Sequence, residues 1–127
     1  MEKMYNLRKF KYFNSGKPIN FKIKYRGKDS YISIKIAMNK LFNNIGIELI
    51  QWIDGECPYK EFLDQGKEGL HHIAIASDDA QLVVDDLKKK GIEVLLEIEP
   101  PISATYLDTE ESLGIILEIM GWIQKKA

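Results

Sequence analysis

The sequence predicts an α+β domain built from two copies of one structural unit. The first half (residues 1–53) reads as a helix followed by three strands, and the second half (residues 70–122) as a strand, a helix and three more strands. The last strand of each half carries a glutamate among apolar residues and a tryptophan four positions later: Glu48 and Trp52, Glu118 and Trp122. Self-similarity of this kind indicates an internal repeat.

The composition is that of an ordinary globular chain of one domain. It has 127 residues, of which 45% are hydrophobic and 29% charged, and a net charge of −1. This balance gives no indication of nucleic acid or of an anionic membrane as a partner. The single cysteine, Cys57, excludes an internal disulfide, and no run approaches the roughly 20 apolar residues of a membrane span. Lysine and arginine interrupt the N-terminus, so no signal peptide is visible. We therefore expect one cytoplasmic domain over residues 1–127.

The first half is expected to contain one helix and three antiparallel strands. Residues 1–13 have apolar anchors and no glycine or proline, which predicts a helix. Alternating apolar and polar residues, and then a third apolar run, predict strands over 19–26, 31–38 and 45–53. A loop is expected at 39–44.

The second half follows a linker over residues 54–69, in which one or two helical turns are expected at 60–64. A helix over 80–90 is predicted from apolar residues at helical spacing, with Asp78 or Asp79 as the N-cap and Gly91 as the stop. Strands are expected at 70–77, 92–99, 104–108 and 113–122.

Both histidines lie at the start of the strand that precedes this helix. Strand side chains alternate, so His72 shares a face with the small residues Ala74 and Ala76, and His71 points to the other face. His72 is therefore the first candidate for chemistry, with His71 as a packed neighbour. A single strand histidine is more often a satisfied core residue, so this observation needs support from elsewhere.

The two repeat-related glutamates provide that support. A buried carboxylate without a partner costs several kcal/mol, on the order-of-magnitude scale for buried charges. Each of Glu48 and Glu118 could instead be exposed or paired with a lysine. Together with His72, however, they form a nitrogen and oxygen donor set that suits a divalent ion such as Zn²⁺, Co²⁺, Ni²⁺, Mn²⁺ or Fe²⁺.

Several segments resemble the vicinal oxygen chelate superfamily, which includes glyoxalases and dioxygenases, and are most similar to its methylmalonyl-CoA epimerases. The residues that carry this resemblance are 58–63, 69–74, 77–79, 105–107 and 114–118. The resemblance implies two βαβββ modules whose curved mixed sheet surrounds a central cleft with a metal ion. It places the metal ligands on His72 and Glu118 from the second module and on Glu48 from the first.

The resemblance also implies a function. The superfamily's metal-dependent isomerases and lyases move a proton beside a carbonyl, with a carboxylate, here Glu118 or Glu48, as the proton-transfer group. The expected partner is a small molecule, with an acyl-CoA as the class that the epimerases use. The family often forms homodimers, and we expect the same here.

Two departures from the family pattern keep a second function open. The opening strand of the first module, with its own histidine ligand, has no counterpart in residues 1–53. Lys35 lies near the position of an epimerase carboxylate, where it could bind an anionic group of a substrate or simply be solvated. The alternatives are a non-catalytic binding module with a degenerate, metal-free site and a structural paralogue that binds nothing.

Overall fold

The computed structural model describes residues 10–42, 45–100 and 102–121. The strands are β1 (Lys11–Tyr12), β2 (Ile19–Tyr25), β3 (Lys28–Phe42), β4 (Ile45–Asp54), β5 (His72–Ser77), β6 (Val94–Ile98), β7 (Ala104–Leu107) and β8 (Ile116–Gly121). The helices are α1 (Pro58–Asp64), α2 (Ala80–Lys89) and α3 (Glu110–Leu113), and a 3-10 turn spans Phe13–Gly16. The chain divides into a first unit, residues 1–21 and 32–55, and a second unit, residues 22–31 and 56–127.

The first unit is organised around β3, which pairs antiparallel with both β1 and β4. Met38 of β3, for example, lies opposite Lys11 of β1 and Glu48 of β4. The isoleucines that alternate along β3 are buried, as their spacing predicts: Ile32, Ile34 and Ile36.

The second unit contains a complete βαβββ module. In the second unit the strand order is β2-β6-β7-β8-β5, with β2 contributing its residues from 22 onward. Strands β5 and β8 run parallel, and the pairs β2–β6, β6–β7 and β7–β8 are antiparallel. The parallel pair requires a crossover, and β5, α2, β6, β7 and β8 provide it in the predicted order. The predicted α+β class with a mixed sheet is therefore confirmed.

Helix α2 is held on one face of this sheet by apolar packing. Val84 of α2 forms a buried cluster with Leu107 of β7 and Ile119 of β8. The remaining residues of the predicted helical stripe, Ala80, Val83 and Leu87, pack against that cluster. Each fully buried aliphatic side chain contributes roughly 1.5–3 kcal/mol, so this face anchors β8, and with it Glu118, to the rest of the unit.

The structure corrects several of the expected boundaries. Residues 11–12 are a strand and not part of a helix, because they pair with β3, and Phe13 begins the 3-10 turn; residues 1–9 of that predicted helix lie outside the described residues. The loop expected at 39–44 is wrong as far as residue 42, because β3 keeps pairing with β4 to that point. Residues 43–44 lie outside the described residues.

Two further corrections concern the second unit. The strand expected at 113–122 begins only at Ile116, because α3 runs to Leu113 and ends on Gly114 with a φ of +79°. Trp122 lies outside the described residues. Asp79 occupies the cap position of α2 but makes no side-chain cap bond. Instead, its backbone N–H donates to Ser77 Oγ at 3.1 Å.

In the described part of the chain, no helix has both the length and the apolar character needed to cross a membrane. The single domain over residues 1–127, with a linker at 54–69 and a central cleft, stays a prediction.

Candidate functional site

His72 and Glu118 are brought together by the parallel pairing of β5 and β8. His72 lies opposite Ile116 and Ala74 lies opposite Glu118, so the two side chains are two register positions apart on the same sheet face. His72 Nε2 lies 3.0 Å from Glu118 Oε1. Their side chains are 10% and 7% exposed, which makes this a nearly buried histidine–carboxylate pair.

Two tyrosine hydroxyls extend the pair. Tyr106 of β7 lies directly opposite Glu118 across the antiparallel β7–β8 pair, and its hydroxyl is 3.3 Å from His72 Nε2. The hydroxyl of Tyr59 on α1 lies 2.5 Å from that of Tyr106. Both tyrosines are buried, and a buried tyrosine hydroxyl generally requires a hydrogen-bond partner. The cluster of His72, Glu118, Tyr106 and Tyr59 is called the site cluster below.

His71 forms the edge of the site cluster. Its Nδ1 is 2.9 Å from His72 Nδ1, and its Nε2 is 3.3 Å from the backbone carbonyl oxygen of Pro58. Its ring packs against those of Tyr59 and Phe62, with centroids 5.0 Å apart in each case. Burial and, next, the electrostatic influence of His72 lower the pKa of His71 to about 4. His71 is therefore neutral at physiological pH.

Helix α1 presents Tyr59 and the Pro58 carbonyl to the histidines. Pro58 starts the helix, where a missing N–H costs nothing. Glu61 anchors the helix to the turn between β2 and β3, because it accepts hydrogen bonds from Arg26 at 2.9 Å and from the hydroxyl of Tyr25. Cys57, directly before the helix, is fully buried.

The other predicted site residues lie in the first unit. Glu48 is on β4 and exposed, and Lys35 is on β3 opposite Gln51 and half-buried. The repeat-related glutamates thus differ, since Glu118 is buried against a histidine. The metal-ligand role of Glu48 and the substrate-binding role of Lys35 stay predictions.

The donor atoms of His72 and Glu118 are of the types that bind divalent ions in proteins. One imidazole nitrogen and one carboxylate oxygen converge in a nearly dry location, which is the donor chemistry of Zn²⁺, Fe²⁺ and related ions. Within the ranges that the structure describes, no three histidine, cysteine or acidic side chains gather in a way that could hold an ion. The pair by itself offers two donor atoms, fewer than the four that a zinc site uses.

Sequence reasoning missed both tyrosines as members of this cluster. The available signal was weak: Tyr106 lies in the strand before the one that carries Glu118, but their pairing depends on a register that the sequence does not show. The presence of Tyr59 in the cluster depends on the position of α1, which the sequence does not show either. The contact between His71 and His72 was also missed, because consecutive strand residues are expected to point to opposite faces.

The sequence model of the glyoxalase/bleomycin resistance protein/dioxygenase superfamily matches residues 1–106. The chain belongs to this superfamily. The match confirms the family that the sequence motifs indicate; it includes Glu48 and His72 and ends before Glu118.

A curated member of the glyoxalase superfamily gives a more specific comparison. The mitochondrial methylmalonyl-CoA epimerase of Bos taurus is 30% identical to this chain over 92 residues, which cover 65% of the chain and 52% of the epimerase. The chain thus spans about half the length of this curated relative.

Proposed function

We propose that this glyoxalase-superfamily protein is a metal-dependent isomerase or lyase that moves a proton beside a carbonyl group of a small-molecule substrate. The observation that supports the proposal is the nearly buried pair of His72 Nε2 and Glu118 Oε1, 3.0 Å apart. His72 and Glu118 are the proposed ligands from the second unit, and Glu48 the proposed ligand from the first. A bound divalent ion would supply Lewis acidity toward the substrate carbonyl.

Glu118 is the proposed proton-transfer group. A carboxylate has two oxygens, so Glu118 can keep its contact with one oxygen and accept or return a substrate proton on the other. Little water reaches Glu118, since it is buried together with Tyr106 and Tyr59. Low water content strengthens the electrostatic interactions on which proton transfer at a carboxylate depends.

The first unit is proposed to supply Glu48 as a second catalytic carboxylate and Lys35 for binding an anionic substrate group. The segment 31–38, where an epimerase would carry one of its two bases, has no acidic residue, so we do not propose a base from that segment. Glu118 is therefore the proposed principal proton-transfer group, with Glu48 and His72 completing the site.

The substrate class we propose is an acyl-CoA or a related carbonyl compound, from the similarity to the epimerase. We also propose a homodimer, as is common in the superfamily, and a cytoplasmic location.

A non-catalytic binding module is the second candidate. The observation that favours it is that His72 and Glu118 already contact one another, so the pair is satisfied without an ion. In that case the site cluster would bind a small molecule through its hydroxyls and carboxylate without turnover.

Metal content tests the proposed function directly. The protein is purified without chelators, loaded with Co²⁺ or Zn²⁺, desalted and measured by elemental analysis. We expect near-stoichiometric metal in the wild type, a loss in His72→Ala and Glu118→Gln, and no change in the matched control Glu111→Gln, because Glu111 is exposed. A wild type that retains no metal would overturn the isomerase proposal and leave the binding module.

Glu48→Gln decides the third ligand in the same experiment. A loss of metal comparable with that of Glu118→Gln would support its role. Full retention would show that the third ligand is another group.

Once metal is retained, solvent-deuterium exchange into acyl-CoA substrates tests the chemistry. Exchange that is lost in Glu118→Gln supports proton transfer. Binding of the acyl-CoA without any exchange would instead support the binding module.

A further inference from the structure

His71 connects helix α1 to the candidate metal ligand His72. One ring nitrogen of His71 faces the Pro58 carbonyl at 3.3 Å, and the other faces Nδ1 of His72 at 2.9 Å. The two imidazole rings are nearly perpendicular, at 87°, with centroids 5.2 Å apart. The nitrogens of His71 are thus both engaged, and neither contacts Glu118 in the described contacts.

The chemistry of these partners determines which atoms carry hydrogen. A carbonyl oxygen can only accept, so His71 Nε2 must be the protonated nitrogen of that ring. A neutral imidazole has one N–H, so Nδ1 of His71 is an acceptor. The 2.9 Å contact between the rings can then form only if Nδ1 of His72 carries a hydrogen and donates it.

This arrangement leaves Nε2 of His72 as the nitrogen that faces Glu118. Nε2 lies 3.0 Å from the Glu118 carboxylate and is the nitrogen that a bound cation would contact. The hydrogen of His72 on Nδ1 is unaffected by a cation at Nε2.

We propose that His71 is a positioning residue, which holds His72 with Nδ1 protonated and Nε2 directed at Glu118 and at the metal. The part of this inference that concerns metal rests on the proposed function; the part that concerns the hydrogen on Nδ1 does not. Partners of this kind orient metal-binding histidines and increase their basicity in many proteins, and their removal weakens metal binding 10- to 100-fold on the usual order of magnitude.

The surroundings of His71 suit this task. Tyr59 and Phe62 of α1 pack against its ring, so its orientation follows that of the helix. The helix is in turn tied to the β2–β3 turn by Arg26 and Glu61, 35 residues apart in the sequence. The ring of His71, which contacts His72, therefore has indirect support from a contact outside the site cluster.

The test compares two variants of His71. His71→Asn keeps an acceptor oxygen near the position of Nδ1, while His71→Phe keeps an aromatic ring for Tyr59 and Phe62 but no acceptor. The chain has two histidines, so either variant contains a single imidazole and assigns His72 without ambiguity. Nitrogen-15 NMR of the metal-free proteins reports which ring nitrogens carry hydrogen.

We expect Nδ1 of His72 to be protonated in the wild type and in His71→Asn, and to lose its hydrogen in His71→Phe. By titration with Co²⁺, we expect His71→Phe to bind about 10- to 100-fold more weakly and His71→Asn to stay close to the wild type. The proposal would be overturned if Nδ1 of His72 carried no hydrogen in the wild type. It would also be overturned if the two variants changed the protonation of His72 and the affinity for Co²⁺ equally. If neither the wild type nor the two variants bind Co²⁺, the proposed function fails. The NMR measurement on the metal-free proteins still decides the role of His71.

Discussion

The hydroxyl of Thr109 accepts a 2.9 Å hydrogen bond from the backbone N–H of Leu117, the residue before Glu118. The same hydroxyl donates to the carbonyl oxygen of Ile115 at 2.7 Å. Thr109 is buried, and its side chain satisfies two backbone groups between the end of α3 and the first residues of β8. This contact fixes the start of the strand that carries the candidate carboxylate.

Thr109→Val should therefore destabilise the protein. Valine keeps the shape of threonine but leaves the Leu117 N–H and the Ile115 carbonyl without this partner, which costs about 1–3 kcal/mol for a buried group. Urea unfolding measures the change in the free energy of unfolding. Thr109→Ser keeps the hydroxyl and is the control, so a valine variant no less stable than the serine variant would contradict the prediction.

The ion pair of Arg26 and Glu61 should make a small, pH-dependent contribution to stability. Burial raises the pKa of the Glu61 carboxyl, but hydrogen bonds from Arg26 and Tyr25 outweigh this and leave the pKa lowered overall. A carboxyl with a lowered folded pKa stabilises the fold above its unfolded pKa, about 4.3, and loses that contribution as the pH falls through the folded value. Both side chains are a third or more exposed, so we expect less than about 1 kcal/mol.

Arg26→Gln tests this contribution. The gap in unfolding free energy between wild type and variant should be present at neutral pH and close as the solution becomes acidic. Lys90→Gln removes the same charge from an exposed pair within α2 and its C-cap, with Asp86, and should cost about 0.3–0.5 kcal/mol or less. A gap that widens in acid would contradict the assignment of Glu61 as the titrating partner.

The pairing of His72 with Glu118 could be anticipated from the sequence because it depends on alternation. Both residues occupy apolar strands, and the repeat together with the family motifs identifies those strands as neighbours. Residues an even number of positions apart in register then share a face. The helical stripe of α2 was predictable for the same reason, since its period of 3.6 is a local property.

The parts that could not be predicted depend on contacts between distant residues. Residues 11–12 form a strand only because Met38 and Ala37 lie beside them, which overrides their local helical pattern. Tyr59 reaches the site cluster from α1, whose position depends on long-range contacts such as that of Glu61 with Arg26. The contact between His71 and His72 requires a departure from strand geometry at His71, one residue before β5 begins.

Cys57 should be unreactive in the folded protein. It is fully buried, and burial, ahead of every other influence, raises the pKa of its thiol. Because the thiolate is the nucleophile, both effects slow alkylation. Treatment with iodoacetamide should leave the native protein unmodified and label the sole cysteine in urea, as read by mass spectrometry. Comparable labelling in both states would show that the residue is accessible.

Tyr106→Phe should lower stability without disturbing ring packing. The variant loses the hydroxyl contacts of 2.5 Å with Tyr59 and 3.3 Å with His72, for a net cost of about 0.5–1.5 kcal/mol. The ring itself stays between Tyr59 and His72. Tyr12→Phe removes a hydroxyl from a side chain that is 70% exposed and should change stability by less than about 0.5 kcal/mol. Equal effects of the two variants would contradict the buried hydroxyl network.

The same tyrosine variant separates stability from metal binding. The Tyr106 hydroxyl can donate to His72 Nε2, so it and a cation compete for one nitrogen lone pair. Tyr106→Phe should therefore bind Co²⁺ as tightly as the wild type or more tightly, even though the metal-free protein is less stable. Titration at equal protein concentration, followed by the visible absorption of the bound cobalt, measures this. A weaker affinity in Tyr106→Phe would mean that the hydroxyl supports the bound ion, and it would overturn the competition argued from the 3.3 Å contact.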